Sequence, residues 1–198
     1  MDLRDMVIAL TGESLRRPKE AARRLIALDP PFEARWIGLG LISVLSLLTS
    51  RIMALFIPDD RMGPLFALIS DPWLGAPLQA ASLLVIAFLV TFVGRLFGGR
   101  GGFMDALLLV VWLQFLLILA QALQIAALFL MPPLALLIAV AALALFVWLL
   151  VNFIAALHGF SSLAKVILGM VASFVVIVLL LSVLLVLAGV APMEAAHV

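Results

Sequence analysis

From Trp36 onward the chain is a succession of apolar runs, each too long and too poor in charge to be the core helix of a water-soluble domain. We place five of them, at 36–57, 78–97, 104–131, 134–157 and 166–190. At about 1.5 Å of rise per residue, each is long enough to cross a hydrocarbon core of about 30 Å. A backbone in lipid has no water to bond to, so runs of this kind must be helices. The expected fold class is therefore all-α, a polytopic integral membrane protein. The composition agrees, with 67% hydrophobic residues, 12% charged residues and a mean hydropathy of +1.35. Those values exclude a single soluble domain of 198 residues.

Three regions follow from this pattern: an amphipathic N-terminal segment at 1–35, a transmembrane domain at 36–190 and a short external tail at 191–198. The first 35 residues are charged throughout and lack the apolar stretch of a cleavable signal, so none is expected. Leu3, Met6, Val7 and Leu10 recur at helical spacing, which predicts a first short helix ending near Gly12. A second is predicted over 14–28, with Pro18 in its first turn, Ala21, Ala22, Leu25 and Ile26 on one face, and Asp29-Pro30-Pro31 as its stop. Such a basic amphipathic segment is expected to lie in the headgroup layer of the bilayer, the alternative being a docking surface for a partner.

The net charge of +1 says little, because the placement of the charges carries the information. Arg4, Arg16, Arg17, Lys19, Arg23, Arg24 and Arg35 precede the first run, Arg95 and Arg100 flank the turn after the second, and Lys165 follows the fourth. The other side carries Arg61, with Arg51 near the end of the first run, against Asp59, Asp60, Asp71 and Glu194. Positive residues stay cytoplasmic, so the N-terminus is expected inside and the C-terminus outside, in the periplasm if the membrane is a bacterial inner membrane. Arg16, Arg17, Arg23, Arg24, Arg95, Arg100 and Lys165 then form the candidate cytoplasmic contact face.

Catalytic chemistry finds little support. There is no cysteine, and the two histidines, His158 and His197, are expected on opposite sides of the membrane, so no metal, catalytic or cofactor-binding site is predicted. A pair of His158 and Ser161 would lack a third group to orient it. The sequence Gly98-Gly99-Arg100-Gly101-Gly102 lacks the lysine and hydroxyl of a phosphate loop and reads as a tight turn between antiparallel helices. The candidate intramembrane polar positions are Arg51, Gln114, Gln121, Gln124 and Asn152. Arg51 is expected to snorkel outward toward Asp59 or Asp60, and the amides to bond between helices. The alternative is a polar groove of a small permease or lipid-moving protein. Small residues at Gly40, Ser43, Ser46 and Ser50, at Gly94 and Gly98, and at Gly169 and Ser173 predict close helix packing.

Several features come together in one order: Arg17-Pro18 in a basic amphipathic N-terminus, five spans, Gly98 to Phe103 before the third span, and His158-Gly-Phe-Ser-Ser-x-x-Lys165 before the fifth. This arrangement resembles the Yip family of Ypt-interacting five-span membrane proteins in its bacterial form. The resemblance covers roughly residues 10 to 190. It implies a membrane domain without a catalytic centre, acting as a scaffold or adaptor whose partners are the lipid bilayer and a membrane protein or a second copy of itself, not nucleic acid. Eukaryotic members act in membrane traffic and bind prenylated Rab-type GTPases. Their long cytoplasmic domain and Asp-Leu-Tyr-Gly-Pro motif have no counterpart in this sequence, which contains no Tyr, so GTPase binding is not expected to carry over.

Overall fold

The computed structural model describes residues 2–56, 63 and 68–187. Its elements are α1 (Leu3–Arg16), α2 (Pro18–Ala27), α3 (Phe32–Ala54), α4 (Gly75–Leu96), α5 (Phe103–Leu130), α6 (Pro132–His158) and α7 (Leu163–Leu187). Four of them, α3 to α6, are long and apolar enough to cross a membrane, and Leu163–Val176 of α7 adds a shorter apolar stretch. The protein is an all-helical, polytopic integral membrane protein. Residues up to Ser161 form one compact unit, and those from Ser162 onward form a second.

In the first unit α5 is the central helix, packed against α3, α4 and α6 and reached by α2. Leu107, Leu109, Val110, Leu113 and Leu116 of α5 are all buried. The helices alternate in direction. Arg35 at the start of α3 meets Asp105 at the start of α5, and Phe56 stacks edge-on with Phe129 at the other end, their centroids 4.9 Å apart. α3 and α5 are thus parallel, and α4 runs back between their ends. On α6, Leu136, Leu137, Val140, Leu143 and Val147 form an exposed stripe at helical spacing, the face that a lipid acyl layer would cover.

Hydroxyls inside these helices satisfy themselves locally. Ser43 bonds the carbonyl of Leu39, Thr91 that of Ala87 and Ser14 that of Leu10, each at 2.8 Å and four residues back. Among the described residues no buried side-chain nitrogen or oxygen is left without a partner. In a solvent without water this condition is a requirement of folding.

The N-terminal helices differ from the sequence expectation in two ways. α1 runs through Gly12 to Arg16, because the break is imposed further on by Pro18, which disfavours helical geometry at the residue before it. Arg17 accordingly sits at φ −139° and ψ 64°. The apolar face of α2 is also not offered to lipid. Pro18, Ala21, Ala22 and Leu25 are buried against α6 and α5, and Leu10 of α1 joins the same core. A small-residue face of this kind buries more surface in a protein groove, where backbones approach closely, than it would in a headgroup layer.

The stripe on α3 is also only partly a packing surface. Ser43 and Ser46 are buried, but Gly40 is exposed and faces open space, and Gly38 is the glycine of this helix that lies against α5, beside Val111. Replacing Leu107, fully buried at 0% exposure, by alanine is expected to cost about 2–5 kcal/mol, read as a lowered unfolding midpoint in mild detergent. Gly40→Ala is expected to leave that midpoint unchanged or slightly raised.

Candidate functional site: the hairpin end of the bundle

Helix α6 ends at His158 because Gly159 takes the left-handed conformation, φ 74°, that stops a helix. The imidazole is thereby left at the helix terminus, 4% exposed, facing the turn between α4 and α5. Three glycines receive it. A Cβ on Gly94 or Gly99 would overlap the ring, and one on Gly101 would lie 2.6 Å from Leu157 Cγ and 2.8 Å from the ring. The glycine run is therefore more than a turn, since it is the surface against which a side chain from another helix is seated. Gly98 supplies the turn itself, at φ 84°.

Both ring nitrogens are engaged. The Gly101 N–H donates to Nδ1 at 3.1 Å, so that nitrogen carries no proton, and Nε2 donates to the carbonyl of Val90 at 3.1 Å. The ring also stacks on Phe160, centroids 5.5 Å apart. With both nitrogens occupied by backbone groups, His158 has no free lone pair with which to activate Ser161, which is itself exposed. His197 lies outside the described residues.

A second anchor lies beside the first. Arg35 is 7% exposed and distributes its donors over three partners: Nη2 to Asp29 at 2.7 Å, Nη1 to Asp105 at 3.2 Å and Nε to the Pro30 carbonyl at 3.0 Å. Asp29 reaches this position at φ 39°, a conformation that aspartate tolerates better than most residues. Asp105 stands in the first turn of α5, where a carboxylate also favours the helix dipole. One guanidinium thus joins the α2–α3 linker, α3 and the α4–α5 hairpin. α2 is fixed by Lys19, whose Nζ donates to the carbonyl of Phe160 at 2.7 Å, and α1 by the Trp112 indole, which donates to Ser14 Oγ at 2.9 Å.

Most of the cations expected at a contact face are exposed on this end. Arg16, Arg17, Arg23 and Arg24 are exposed on α1 and α2 or at their junction, and Arg95 and Arg100 on the hairpin. Arg24 pairs with Glu13 at 2.8 Å and Arg17 with Glu20 at 3.4 Å. Arg95 donates through Nε to the Gly101 carbonyl at 3.1 Å. Lys165 is exposed in α7, within the second unit. From sequence alone Arg35 reads as one of the charges that set topology, and His158 as half of an incomplete pair with Ser161. The density of glycines around one turn, which exceeds what a turn needs, signals that something is seated there without saying that it is His158, and no comparable signal marks Arg35.

The polar residues within the spans do not share one site. Gln114 donates to Ser46 Oγ at 3.1 Å, a bond between α5 and α3, while Asn152 donates to the Trp148 carbonyl at 2.8 Å within α6. Gln121 and Gln124 are half-buried farther along α5. The crevice between α4, α5 and α6 is lined by apolar side chains, among them Val90, Leu109, Leu113, Leu150 and Phe153. Arg51 is exposed and lies toward the other end of α3, where its charge acts on Asp71; Asp59 and Asp60 lie outside the described residues. The Asp71 carboxyl is held below its ordinary range first by the N–H groups of Leu74 and Trp73, at 2.9 and 2.8 Å, and then by Arg51.

Gly101→Ala is expected to lower stability by about 1–3 kcal/mol or to displace the His158 ring. Arg35→Ala, which removes a buried guanidinium from the Pro30 carbonyl and from two carboxylates that solvent can reach, is expected to cost about 1–3 kcal/mol. Both are read from unfolding midpoints and from the histidine ring signals in isotope-filtered spectra of detergent-solubilised protein.

No curated protein and no solved structure matches the chain significantly. The family model of the Yip1 domain matches residues 12–185, a stretch that begins inside α1, ends inside α7 and contains every anchor just described. The chain is a member of the Yip1 domain family.

Proposed function

We propose that this protein is a non-enzymatic scaffold or adaptor of a bacterial inner membrane, with five spans, a cytoplasmic N-terminus and a periplasmic C-terminus. It assembles with itself or with a larger membrane complex, and the hairpin end of the bundle is its contact face. The observation that carries this reading is the contrast between the anchors and the cations at that end. The buried groups that could do chemistry, His158 and Arg35, are engaged by backbone and, for Arg35, by Asp29 and Asp105, while Arg16, Arg17, Arg23 and Arg100 are exposed at the same end. An enzyme needs the reverse, a reactive group left free in a pocket. The orientation is supported by the distribution of arginine and lysine along the sequence.

The permease reading has less support, since Gln114 is tied to Ser46 and the crevice beside α5 presents apolar side chains only. GTPase recognition of the eukaryotic kind is not part of this proposal, because the Asp-Leu-Tyr-Gly-Pro motif has no counterpart in the sequence.

The test is recovery of the tagged protein from its native membrane in polymer discs, with mass identification of what accompanies it. A stoichiometric partner, or a defined homo-oligomer, is expected for the wild type. Arg16→Glu with Arg17→Glu, both on exposed side chains, should cut recovery of a partner roughly tenfold, the effect of about 1.4 kcal/mol, while insertion is unchanged. A monomer recovered alone, or recovery indifferent to charge reversal, would count against the adaptor reading.

A further inference from the structure

The cations of the hairpin end fall into two sets. At about 100° per residue, Lys19 and Arg23 lie on one flank of the buried face of α2, and Glu20 and Arg24 on the other. The second flank is internally neutralised, by Arg24 on Glu13 and Arg17 on Glu20. The first is not. Among the described residues neither Arg23 nor Arg100 makes an ion pair. Lys19 spends one of its three donors on the Phe160 carbonyl, and Arg95 spends only Nε on Gly101, leaving the outer edge of its guanidinium open.

Lys19, Arg95 and Arg100 belong to one sector, and Arg23 stands one turn from Lys19 on the same flank of α2. Lys19 is bonded to Phe160, Phe160 stacks on His158, and His158 is seated on Gly99 and Gly101, which flank Arg100 and receive Arg95. Of the carboxylates at this end, Asp29 and Asp105 are occupied by Arg35 and Glu20 by Arg17. Beside the cations, Leu96 and Phe97 are 69% and 58% exposed at the last turn of α4, where an apolar span meets the turn. An acidic soluble partner would meet the charges and make no use of that apolar rim. A lipid satisfies both, with phosphate against the cations and acyl chain against the rim.

We propose that Lys19, Arg23, Arg95 and Arg100 form a binding sector for the phosphate-bearing headgroup of an anionic phospholipid, whose chain lies against Leu96 and Phe97. The inference rests on the reading of the hairpin end as a contact face and names lipid as what this sector contacts. The Arg16 and Arg17 surface is left to protein.

The full chain is purified in mild detergent, exposed to equal amounts of phosphatidylglycerol and phosphatidylcholine, and its bound lipids are counted by native mass spectrometry. The wild type is expected to retain phosphatidylglycerol preferentially. Arg23→Gln with Arg100→Gln should lower that preference roughly tenfold, while Arg16→Gln with Arg17→Gln leaves it unchanged. Thermal unfolding in phosphatidylcholine discs checks the fold of each variant. Should the double variant not fold, Arg100→Gln alone, on an exposed loop residue, carries the same expectation to a lesser degree. Equal retention of the two lipids by the wild type overturns the proposal, as does full preference in a folded Arg100 variant. So does loss of a co-purified acidic protein with lipid preference intact. Lipid preference without any protein partner would sink the adaptor reading alone, and a partner without lipid preference would sink this one alone.

Discussion

The hairpin end depends on one imidazole being enclosed by backbone. A histidine that is 4% exposed must have both nitrogens bonded, and few arrangements supply one donor and one acceptor on opposite sides of a five-membered ring. The structure does so with the Gly101 N–H and the Val90 carbonyl, groups that carry no side-chain entropy and do not titrate. For the backbone to come that close, the chain at 94, 99 and 101 must lack Cβ. The cost of so many glycines, in unfolded-chain entropy and lost packing, is offset because a single contact sets the distance between α4, α5 and α6 at one end.

The spans differ in length, and the two longest, α5 and α6, are the ones that α2 packs against. With 28 and 27 residues they measure about 42 and 40 Å, roughly 10 Å more than a hydrocarbon core, whereas α3 and α4, with 23 and 22 residues, nearly match it. At the hairpin end α1 and α2 pack over α5 and α6, with Leu10, Ala22 and Leu25 in the same core as Leu107 and Phe153. An amphipathic helix has one apolar face to spend. Spent on α5 and α6, it turns the charged face outward by geometry alone, so Arg23 is exposed because of where α2 packs.

This division marks what the sequence could disclose. The apolar runs were legible because lipid admits one local answer, a helix of sufficient length, and that answer needs no tertiary information. The Gly98 turn and the stop after His158 were legible for the same reason, as local backbone chemistry. The destination of the apolar face of α2 was not, because a headgroup layer and a protein groove demand the same periodicity, and only the small size of Ala21 and Ala22 distinguishes them. Gly40 and Gly94 look alike in sequence, yet one faces open space and the other a ring contributed from more than sixty residues away. No rule of spacing predicts a contact of that range. In the sequence Arg35 reads as one positive charge among several, although its three partners come from two segments that the sequence separates by about seventy-five residues.

The arrangement also bears on why polar groups are distributed as they are. Within the spans the bonds stay mostly inside one helix, as with Ser43 on Leu39, Thr91 on Ala87 and Asn152 on Trp148, and Gln114 on Ser46 is the exception that crosses from α5 to α3. At the hairpin end the bonds instead cross between segments, and several hold the backbone in place: Lys19 on Phe160, Arg95 on Gly101, Arg35 on Pro30. Bonds of the first kind satisfy a group without fixing where the helix sits. Bonds of the second kind fix position, because a carbonyl has a direction and a long cationic side chain can reach it from only one side. A bundle whose spans are held by apolar packing alone would be free to slide, since lipid competes with leucine on nearly equal terms. Positional information is therefore concentrated at the end where water and headgroups begin, and a surface that must present charges at fixed spacing gains most from being built there.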